Sequence, residues 1–199
     1  MNKKVVGIIC SYRKGGIIDS IVSEILTSAE EHGAQTNKIY LIDKHIEFCT
    51  NCRKCTQLKG SQRGKCIHND DMEEILKEIE NADSIVIGSP VNFYNVTAIT
   101  RRFMERLICF AYWPWGKTAP KFRTNEKSKK AILVTSSAMP VFLGKIFTGA
   151  LRALKITAKI LGAKPIKSIF IGLIAGSEKE TLSESVLRKA RKAGCSLMS

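Results

Sequence analysis

The chain has 199 residues, of which 44% are hydrophobic and 25% are charged, and its formal net charge is +14. This composition is typical of a globular protein, the length favours one domain over 1–199, and no run approaches the roughly 18 apolar residues of a membrane span. The basic residues are spread along the chain and are not interleaved with aromatic ones, so we expect the positive field to attract an anionic nucleotide. A basic nucleotide- or nucleic-acid-binding module remains a third alternative.

The N-terminal stretch MNKKVVGIIC is basic and then apolar, but it lacks a small-residue cleavage site. It therefore predicts a buried strand and not a secretion signal. We expect a cytoplasmic protein, because that compartment keeps thiols reduced. Seven cysteines in such a compartment favour metal, cluster or redox roles over a disulfide framework.

Short apolar runs alternate with helical patterns along the whole chain. The predicted strands are 4–10, 36–42, 84–89, 130–137 and 167–174. The predicted helices are 17–32, 71–81, 95–111, 143–162 and 178–196. Four of the strands contain continuous apolar stretches, as expected when helices cover both faces of a parallel sheet. The pattern predicts an α/β three-layer sandwich with five parallel strands.

Two connections are longer than the loops usual in such a fold, namely 43–70 and 112–129. The first contains a cysteine-rich insertion and the second contains the stretch YWPWGK. Long connections in a compact domain are usually functional or disordered. We expect both to lie over the carboxyl ends of the strands, where α/β proteins bind their ligands.

The loop CSYRKGG, residues 10–16, connects the first strand to the first helix. Backbone amides at such a helix start, together with Ser11, Arg13 and Lys14, predict a site for a phosphate group. The spacing of a Walker loop is absent, as is G-x-G-x-x-G. The alternative is a glycine turn with basic residues on the surface.

Two further loops follow the third and fourth strands. In GSPVNFYNV (88–96), Pro90 ends a strand, and the exposed backbone beside Phe93 and Tyr94 suits the polar edge of a flat heterocycle. The alternative is a turn whose aromatic side chains cap the core. The loop TSSAMP (135–140) contributes Ser136. In a flavodoxin-like sheet of order 2-1-3-4-5, these loops meet at the switch point that binds a flavin mononucleotide.

Taken in order, SYRKGG, C-x-x-C-x-x-C, GKCIHNDDMEEIL and ADSIVIGSPVNFYNVTAITRRFMERL resemble the flavodoxin-like NAD(P)H-dependent FMN reductases. They are most similar to the branch that includes the iron–sulfur flavoproteins. The resemblance implies FMN at a homodimer or homotetramer interface, with electrons passing from NAD(P)H to a flavin, quinone or similar acceptor. No catalytic side chain is predicted, because the cofactor carries the difficult step in such enzymes.

The resemblance also places individual residues, with departures from the family pattern. Asn92 stands where an aromatic residue is usual, and Ile17 and Ile18 stand where Asn-Thr normally holds the phosphate. Two hydrogen-bonding side chains are thereby lost, although backbone amides and Arg13 can still bind a phosphate. Asp19 would repel a phosphate if it pointed inward. The candidate cofactor-binding residues are Ser11, Arg13, Lys14, Gly16, Ile18, Pro90, Val91, Asn92, Phe93, Asn95 and Ser136.

The cysteines leave three alternatives open: a [4Fe–4S] cluster, zinc, or no metal. A tight C-x2-C-x2-C loop supplies Cys49, Cys52 and Cys55, and Cys66 is the natural fourth ligand after a ten-residue gap. A cluster would make the protein an iron–sulfur flavoprotein electron carrier, fed by ferredoxin. Zinc would recruit His68 in an uncommon C-x-H spacing. We expect the basic neighbours to lower the thiol pKa values. The cysteines expected to be buried core residues are Cys10, Cys109 and Cys195.

Overall fold

The computed structural model describes residues 2–60, 62–123, 128–174 and 182–199. Within these ranges the chain alternates between strands and helices, as the apolar pattern predicts. The strands are β1 (Lys4–Ile9), β2 (Gln35–Tyr40), β3 (Ser84–Pro90), β4 (Ala111–Tyr112), β5 (Lys121–Phe122), β6 (Lys129–Ser136) and β7 (Ala163–Ile171). The helices are α1 (Ile17–Glu31), α2 (Met72–Glu80), α3 (Ala98–Arg106), α4 (Val141–Phe147), α5 (Ala150–Ile160) and α6 (Glu184–Met198).

The main sheet has the strand order β2-β1-β3-β6-β7, and every neighbouring pair is parallel. Strands β4 and β5 form a separate antiparallel ribbon. When only the five strands of the main sheet are numbered along the chain, their order is 2-1-3-4-5. The flavodoxin-like sandwich predicted from the sequence is therefore confirmed.

Helices cover both faces of the sheet, and each face has its own apolar cluster. Along β1, Ile8 lies in the cluster with α2, α3 and α5, whereas Ile9 lies in the cluster with α1 and α6. Successive side chains of a strand point to opposite faces, which is why a strand buried on both sides is apolar throughout. Burial of these two clusters is the dominant favourable contribution to folding.

The predicted helix over 143–162 is two helices, α4 and α5, separated by Thr148 and Gly149. The N–H of Gly149 donates to the carbonyl of Tyr94 at 2.8 Å. A Cβ at Gly149 would lie 2.9 Å from Nδ2 of Asn95. The helix breaks because the backbone must approach the loop after β3 this closely.

Other boundaries also differ from the prediction. The helix expected over 95–111 begins at Ala98 and ends in a 3-10 turn, Leu107–Phe110. The start of the helix predicted at 178 lies outside the described residues, and α6 begins at Glu184. Strand β7 begins at Ala163 and has a bulge opposite Ala131 and Ile132, next to Pro165. A bulge on an edge strand is one of the few places where a sheet tolerates proline.

None of the helices in the described part of the chain combines the length and the apolar character needed to cross a bilayer.

Candidate functional site

Three loops meet at the carboxyl edge of the sheet, after β1, β3 and β6. The N–H of Cys10 donates to the carbonyl of Gly88 at 2.8 Å, and the N–H of Val91 donates to the carbonyl of Ser136 at 2.7 Å. These bonds hold the loop after β3 against both of its neighbours. Most of the predicted cofactor-binding residues therefore lie along one edge, at the switch point between β1 and β3.

The first loop leads into a helix whose first amides have no acceptor. Gly16 is the N-cap residue of α1 and makes no side-chain capping bond. Within the described residues, the N–H groups of Ile17 and Ile18 have no partner, as is normal for a first helical turn. Free amides at the positive end of a helix dipole suit a phosphate group. Ser11 shapes this loop, because its Oγ accepts the N–H of Arg13 at 3.1 Å.

The two cationic side chains of the loop differ in their partners. Arg13 is exposed, and its guanidinium has no carboxylate within ion-pair distance in the described ranges. The Nζ of Lys14 lies 2.6 Å from Oδ2 of Asp43 and 5.2 Å from the centroid of the Tyr40 ring. Arg13 is therefore free to meet an anion, whereas Lys14 would first have to leave Asp43.

The apolar pair that replaces the family's Asn-Thr packs inward. Ile18 is buried in the cluster beneath α1, and a Cβ at Gly88 would lie 2.7 Å from its Cγ2. Its side chain thus holds α1 against β3, and only its backbone N–H is available to a ligand. The same packing explains why an apolar residue is compatible with this position.

The buried carboxylate of Asp19 connects the 10–16 loop to α1 and β2. Its carboxylate is buried and accepts the N–H of Gly15 at 2.7 Å, the hydroxyl of Tyr40 at 3.1 Å and the hydroxyl of Ser23 at 3.2 Å. Lys38 Nζ lies 3.6 Å away. These contacts hold the carboxylate in this position, where it takes up the N–H of Gly15 in the loop itself. That Asp19 would repel a phosphate if it pointed inward stays a prediction.

The loop after β3 forms a tight turn at Asn92–Asn95. The two asparagines exchange backbone hydrogen bonds of 2.7 and 3.1 Å. The central residues, Phe93 and Tyr94, have φ values of 47° and 64°, which are unfavourable for bulky side chains. Phe93 is 98% exposed. A strained turn that holds an aromatic ring in solvent is typical of a ligand-binding loop.

The third loop adds buried hydroxyl groups. Ser136 is buried, and its carbonyl accepts the N–H of Val91 in the loop after β3. Its neighbour Thr135 is fully buried, and the Oγ1 of that residue has no hydrogen-bond partner among the described residues. An unpaired buried hydroxyl beside these loops leaves a polar group for a ligand. Thr135 was not predicted individually, since a threonine at a strand end carries no sequence signal of its own.

Residues 3–173 match the sequence profile of the family described as NADPH-dependent FMN reductase. The chain belongs to this family. An iron-sulfur flavoprotein of Methanocaldococcus jannaschii is 40% identical over 103 residues, which cover 52% of this chain and 51% of that protein. The chain spans about half the length of the curated relatives it matches.

Solved structures agree with the fold of this FMN reductase family. An FMN-dependent NADH-azoreductase from Bacillus anthracis, in complex with FMN, has a TM-score of 0.71 at 13% identity, and the match covers 100% of both chains. An NAD(P)H:quinone oxidoreductase from Methanothermobacter marburgensis has a TM-score of 0.69 at 17% identity and covers 98% of both chains. At these identities the likeness establishes the fold alone.

In this family member the four predicted metal ligands line one small pocket, which Arg53, His68 and Arg106 also line. Burial, followed by the electrostatic effect of Cys66, Cys49 and Cys52, raises the pKa of the Cys55 thiol to about 11. The thiols therefore converge. Among the described residues, however, no group of three or more Cys, His, Asp or Glu side chains is arranged to hold a metal ion.

For Cys55, the prediction that basic neighbours lower the thiol pKa is wrong. The guanidinium of Arg53 lies between two indole rings, 3.8 Å from the ring centroid of Trp113 and 4.3 Å from that of Trp115. It also donates to the carbonyl of Trp113 at 2.7 Å. These contacts hold the cysteine loop against Trp113 and Trp115, and burial is the largest cause of the raised pKa of Cys55.

Arg106 is the cation that contacts a pocket thiol. Its Nη2 donates to the Sγ of Cys66 at 3.4 Å and its Nη1 donates to the carbonyl of Glu47 at 2.8 Å. Two other polar atoms of residues that line the pocket are buried and have no partner in the described ranges, namely Arg53 Nε and His68 Nε2. The N–H of Arg53 suits a group with negative charge, which is the charge that thiolates would bring.

The ten-residue gap before Cys66 folds back onto the cysteine loop. The N–H of Gly64 donates to the carbonyl of Cys109 at 2.8 Å. A Cβ at Gly64 would lie only 1.7 Å from the carbonyl oxygen of Cys55. Gly64 therefore brings Cys66 back beside Cys55, whatever the length of the intervening chain.

The remaining cysteines fulfil the prediction only in part. Cys10 and Cys109 are buried, and burial raises the pKa of each thiol to about 12. Cys195 is exposed, so its predicted burial is wrong. It occupies the outer face of α6, whose buried residues are Ala190, Ala193, Gly194 and Leu197.

Proposed function

We propose that the protein is an FMN-dependent oxidoreductase that takes electrons from NAD(P)H and reduces a flavin, quinone or similar small-molecule acceptor. The observation that carries this proposal is the convergence of three loops with unpaired donors at the switch point of a flavodoxin-like sheet. Membership of the FMN reductase family supports it, as does the FMN complex of the B. anthracis azoreductase.

The donors present suit the two ends of FMN. The free amides of Ile17 and Ile18 and the unpaired guanidinium of Arg13 match a phosphate group. The backbone of the Asn92–Asn95 turn and the hydroxyl of Thr135 are the polar groups on the ring side. Bound FMN would supply hydride acceptance and electron transfer, while the protein positions and orients it.

Flavin loading followed by reduction tests this function. Protein reconstituted with FMN should lose the visible absorbance of oxidised flavin when NADPH or NADH is added. Arg13→Ala should bind FMN about tenfold more weakly, because it removes a charged partner of the phosphate. Lys121→Ala, on the β4–β5 ribbon, is the matched control and should bind as the wild type does. FMN-loaded protein that stays oxidised with both nucleotides would exclude the reductase function.

A second candidate function is an iron–sulfur flavoprotein electron carrier, with a [4Fe–4S] cluster on Cys49, Cys52, Cys55 and Cys66. The shared pocket and the unpaired N–H of Arg53 favour it, and so do relatives named iron-sulfur flavoproteins. The cysteine arrangement would have to close further to bind iron. All seven cysteines are unpaired, which fits the reducing cytoplasmic setting proposed for either function.

Iron analysis of anaerobically purified protein distinguishes the two candidates. A cluster predicts about four irons per chain, since four thiolates hold one cubane. Cys66→Ser should lower the iron content, and Cys195→Ser, at the exposed cysteine, should leave it unchanged. If iron is absent from the anaerobic wild type, the electron-carrier function fails and the reductase function stands.

We further propose that the protein acts as a homodimer or a higher homo-oligomer through the α4 face. Helix α4 exposes five apolar side chains, with Phe142 71% and Phe147 62% exposed. Exposed aromatic residues in such a patch are typical of protein interfaces. Analytical ultracentrifugation of Phe142→Ser should show a shift toward monomer. A monomeric wild type at working concentration would contradict this assembly.

A further inference from the structure

Three hydroxyl groups form a buried cluster beneath the candidate flavin site. Ser89, Thr97 and Thr100 are each fully buried. The Oγ1 of Thr100 donates to the Oγ of Ser89 at 3.1 Å, and the hydroxyls of Thr97 and Thr100 lie 2.6 Å apart. The N–H of Thr97 donates to the same Oγ of Ser89 at 3.3 Å. The cluster thus joins the end of β3 to the first turn of α3.

The cluster also holds the end of β1. The paired register of β1 and β3 ends at Ile9 and Gly88. Beyond that point the chain leaves the sheet to form the 10–16 loop, so the carbonyl of Cys10 has no strand partner. Thr97 supplies the closer partner, because its Oγ1 donates to that carbonyl at 2.8 Å, whereas the Oγ1 of Thr100 lies 3.5 Å from it. A buried carbonyl that loses its short hydrogen bond is destabilised, so the Thr97 hydroxyl affects the backbone around Cys10.

Thr97 occupies a position that both loops share. Its hydroxyl accepts the N–H of Thr100 and so caps α3, the helix that follows the ring-side loop. The same hydroxyl binds Cys10, the residue that precedes Ser11 and the phosphate-side loop. A ligand that binds both loops at once requires a fixed separation between them.

We infer that Thr97 is a positioning residue, which sets the spacing between the phosphate-side loop (10–16) and the ring-side loop (90–95). This inference rests on the proposed function, because it assigns the two loops to the two ends of FMN. Thr97 does not itself contact the ligand and acts through Cys10 and Ser89. In the sequence it is only a threonine inside the helix predicted over 95–111, and the structure shows that it is the N-cap residue of α3.

A matched residue separates this role from a general loss of stability. Thr157 is also fully buried, and its Oγ1 donates to the carbonyl of Ala153 at 3.0 Å. That bond lies within α5 and contacts neither loop. Thr97→Val and Thr157→Val each remove one buried hydroxyl with little change in side-chain volume, but only the first disconnects Cys10.

The test measures FMN binding by fluorescence quenching and, in FMN-free protein, the hydrogen exchange of the hydrogen-bonded amides of Cys10, Arg13 and Gly15. Thr97→Val should bind FMN about tenfold or more weakly, as expected when a buried carbonyl loses its short hydrogen bond, and these three amides should exchange faster. Thr97→Ser retains the hydroxyl and should restore both values to within about twofold of the wild type. Thr157→Val should match the wild type in both measurements.

Different outcomes identify which proposal fails. If Thr97→Val binds FMN and exchanges as Thr157→Val does, the positioning role is overturned. If the wild type binds no FMN, the proposed function fails, and the exchange comparison alone decides whether Thr97 couples the loops. If Thr97→Val does not fold, Thr97→Ala replaces it, because this variant also removes the hydroxyl that binds Cys10. FMN binding that is weakened in Thr97→Ala and retained in Thr97→Ser supports the role, and wild-type binding in Thr97→Ala contradicts it.

Discussion

Arg106 and Asp70 form a buried ion pair beneath the cysteine pocket, with Nη1 2.5 Å from Oδ2 and side chains that are 2% and 1% exposed. Asp70 also accepts the N–H of Glu47 at 2.8 Å, and Arg106 donates to the Sγ of Cys66. The pair therefore fastens both ends of the cysteine segment, just before Cys49 and just after Cys66. Each charge depends on the other, because neither reaches water.

Removing one partner of this pair should strongly destabilise the fold. For Arg106→Met we expect the free energy of unfolding to fall by about 3–5 kcal/mol, since Asp70 is left as an unpaired buried charge. Urea denaturation measures the change. The control is Arg191→Met, which breaks exposed, solvent-screened ion pairs to Glu24 and Glu31 and should change the free energy of unfolding far less. Equal losses in the two variants would contradict the role assigned to Arg106.

The same pair makes stability depend on pH in the acid range. Burial raises the pKa of Asp70, but hydrogen bonds from Arg106 and from the N–H groups of Glu47 and Met72 outweigh it and leave the pKa below its usual 3.8. The unfolded chain therefore binds a proton before the folded chain does, so this stabilisation is present above pH 3.8 and is lost as the pH falls through the folded value.

Urea midpoints measured between about pH 2 and 7 check this sign. Near neutrality the urea midpoint of the wild type should exceed that of Asp70→Asn by a constant amount. This difference should shrink as the pH falls below the normal carboxyl range. A difference that grows toward low pH would have the opposite sign and would rule out the depressed pKa.

Gly64→Ala should disturb the return of the chain to the cysteine loop. The new methyl group would overlap the carbonyl of Cys55, so the backbone must move, and we expect a loss of about 1–3 kcal/mol in urea denaturation. Gly60→Ala is the matched control in the same segment, because its nearest neighbour is Nη1 of Arg123 at 4.0 Å. Comparable losses at both positions would show that crowding at Cys55 is not the cause.

The ring-side turn should gain stability when its strain is relieved. Asn and Gly adopt positive φ more readily than Phe and Tyr, so Phe93→Asn combined with Tyr94→Gly should raise the free energy of unfolding by about 1 kcal/mol in FMN-free protein. Because the aromatic rings are lost, FMN binding should weaken. Denaturation and FMN titration of the same variant check the two effects. A variant that gains stability and binds FMN as tightly as the wild type would show that FMN binding does not depend on the strained turn.

Native alkylation should distinguish the cysteines by their exposure. Cys195 is exposed and should react first with iodoacetamide at about pH 8, where an ordinary thiol is partly ionised. Cys10 should stay unlabelled until the protein unfolds, because it is buried and its pKa is raised to about 12. Peptide mass spectrometry gives the order, and early labelling of Cys10 would show that the β1 end opens readily.

The fold was predictable from the sequence, because its signals are local. Continuous apolar runs identify β1, β3 and β6, and their alternation with helical patterns predicts the parallel sheet. The break between α4 and α5 was not predictable, since Thr148 and Gly149 interrupt the helix only because the loop at Tyr94 and Asn95 packs against them. Tertiary contact overrides helical propensity there.

The loops of the candidate site were predictable from the sequence, but the hydrogen-bond and ion-pair partners of the residues around it were not. Ser11, Arg13 and the Pro90–Asn95 loop stand directly after strands, which is a signal that sequence carries. Arg106 lies 36 residues from Asp70, and Thr97 lies 87 residues from Cys10. Nothing in the sequence around either residue indicates the distant group that it binds. Such pairings are set by the packing of whole elements.

The bulge and Pro165 on β7 also restrict how copies of this chain can associate. Strand β7 is an outer strand of the sheet, and Lys164 and Lys167 beside the proline are exposed. A strand with a bulge, a proline and flanking lysines is a poor template for pairing with a strand of another molecule. Edge-to-edge extension of the sheet, and the aggregation that it invites, is thereby discouraged along this side of the protein.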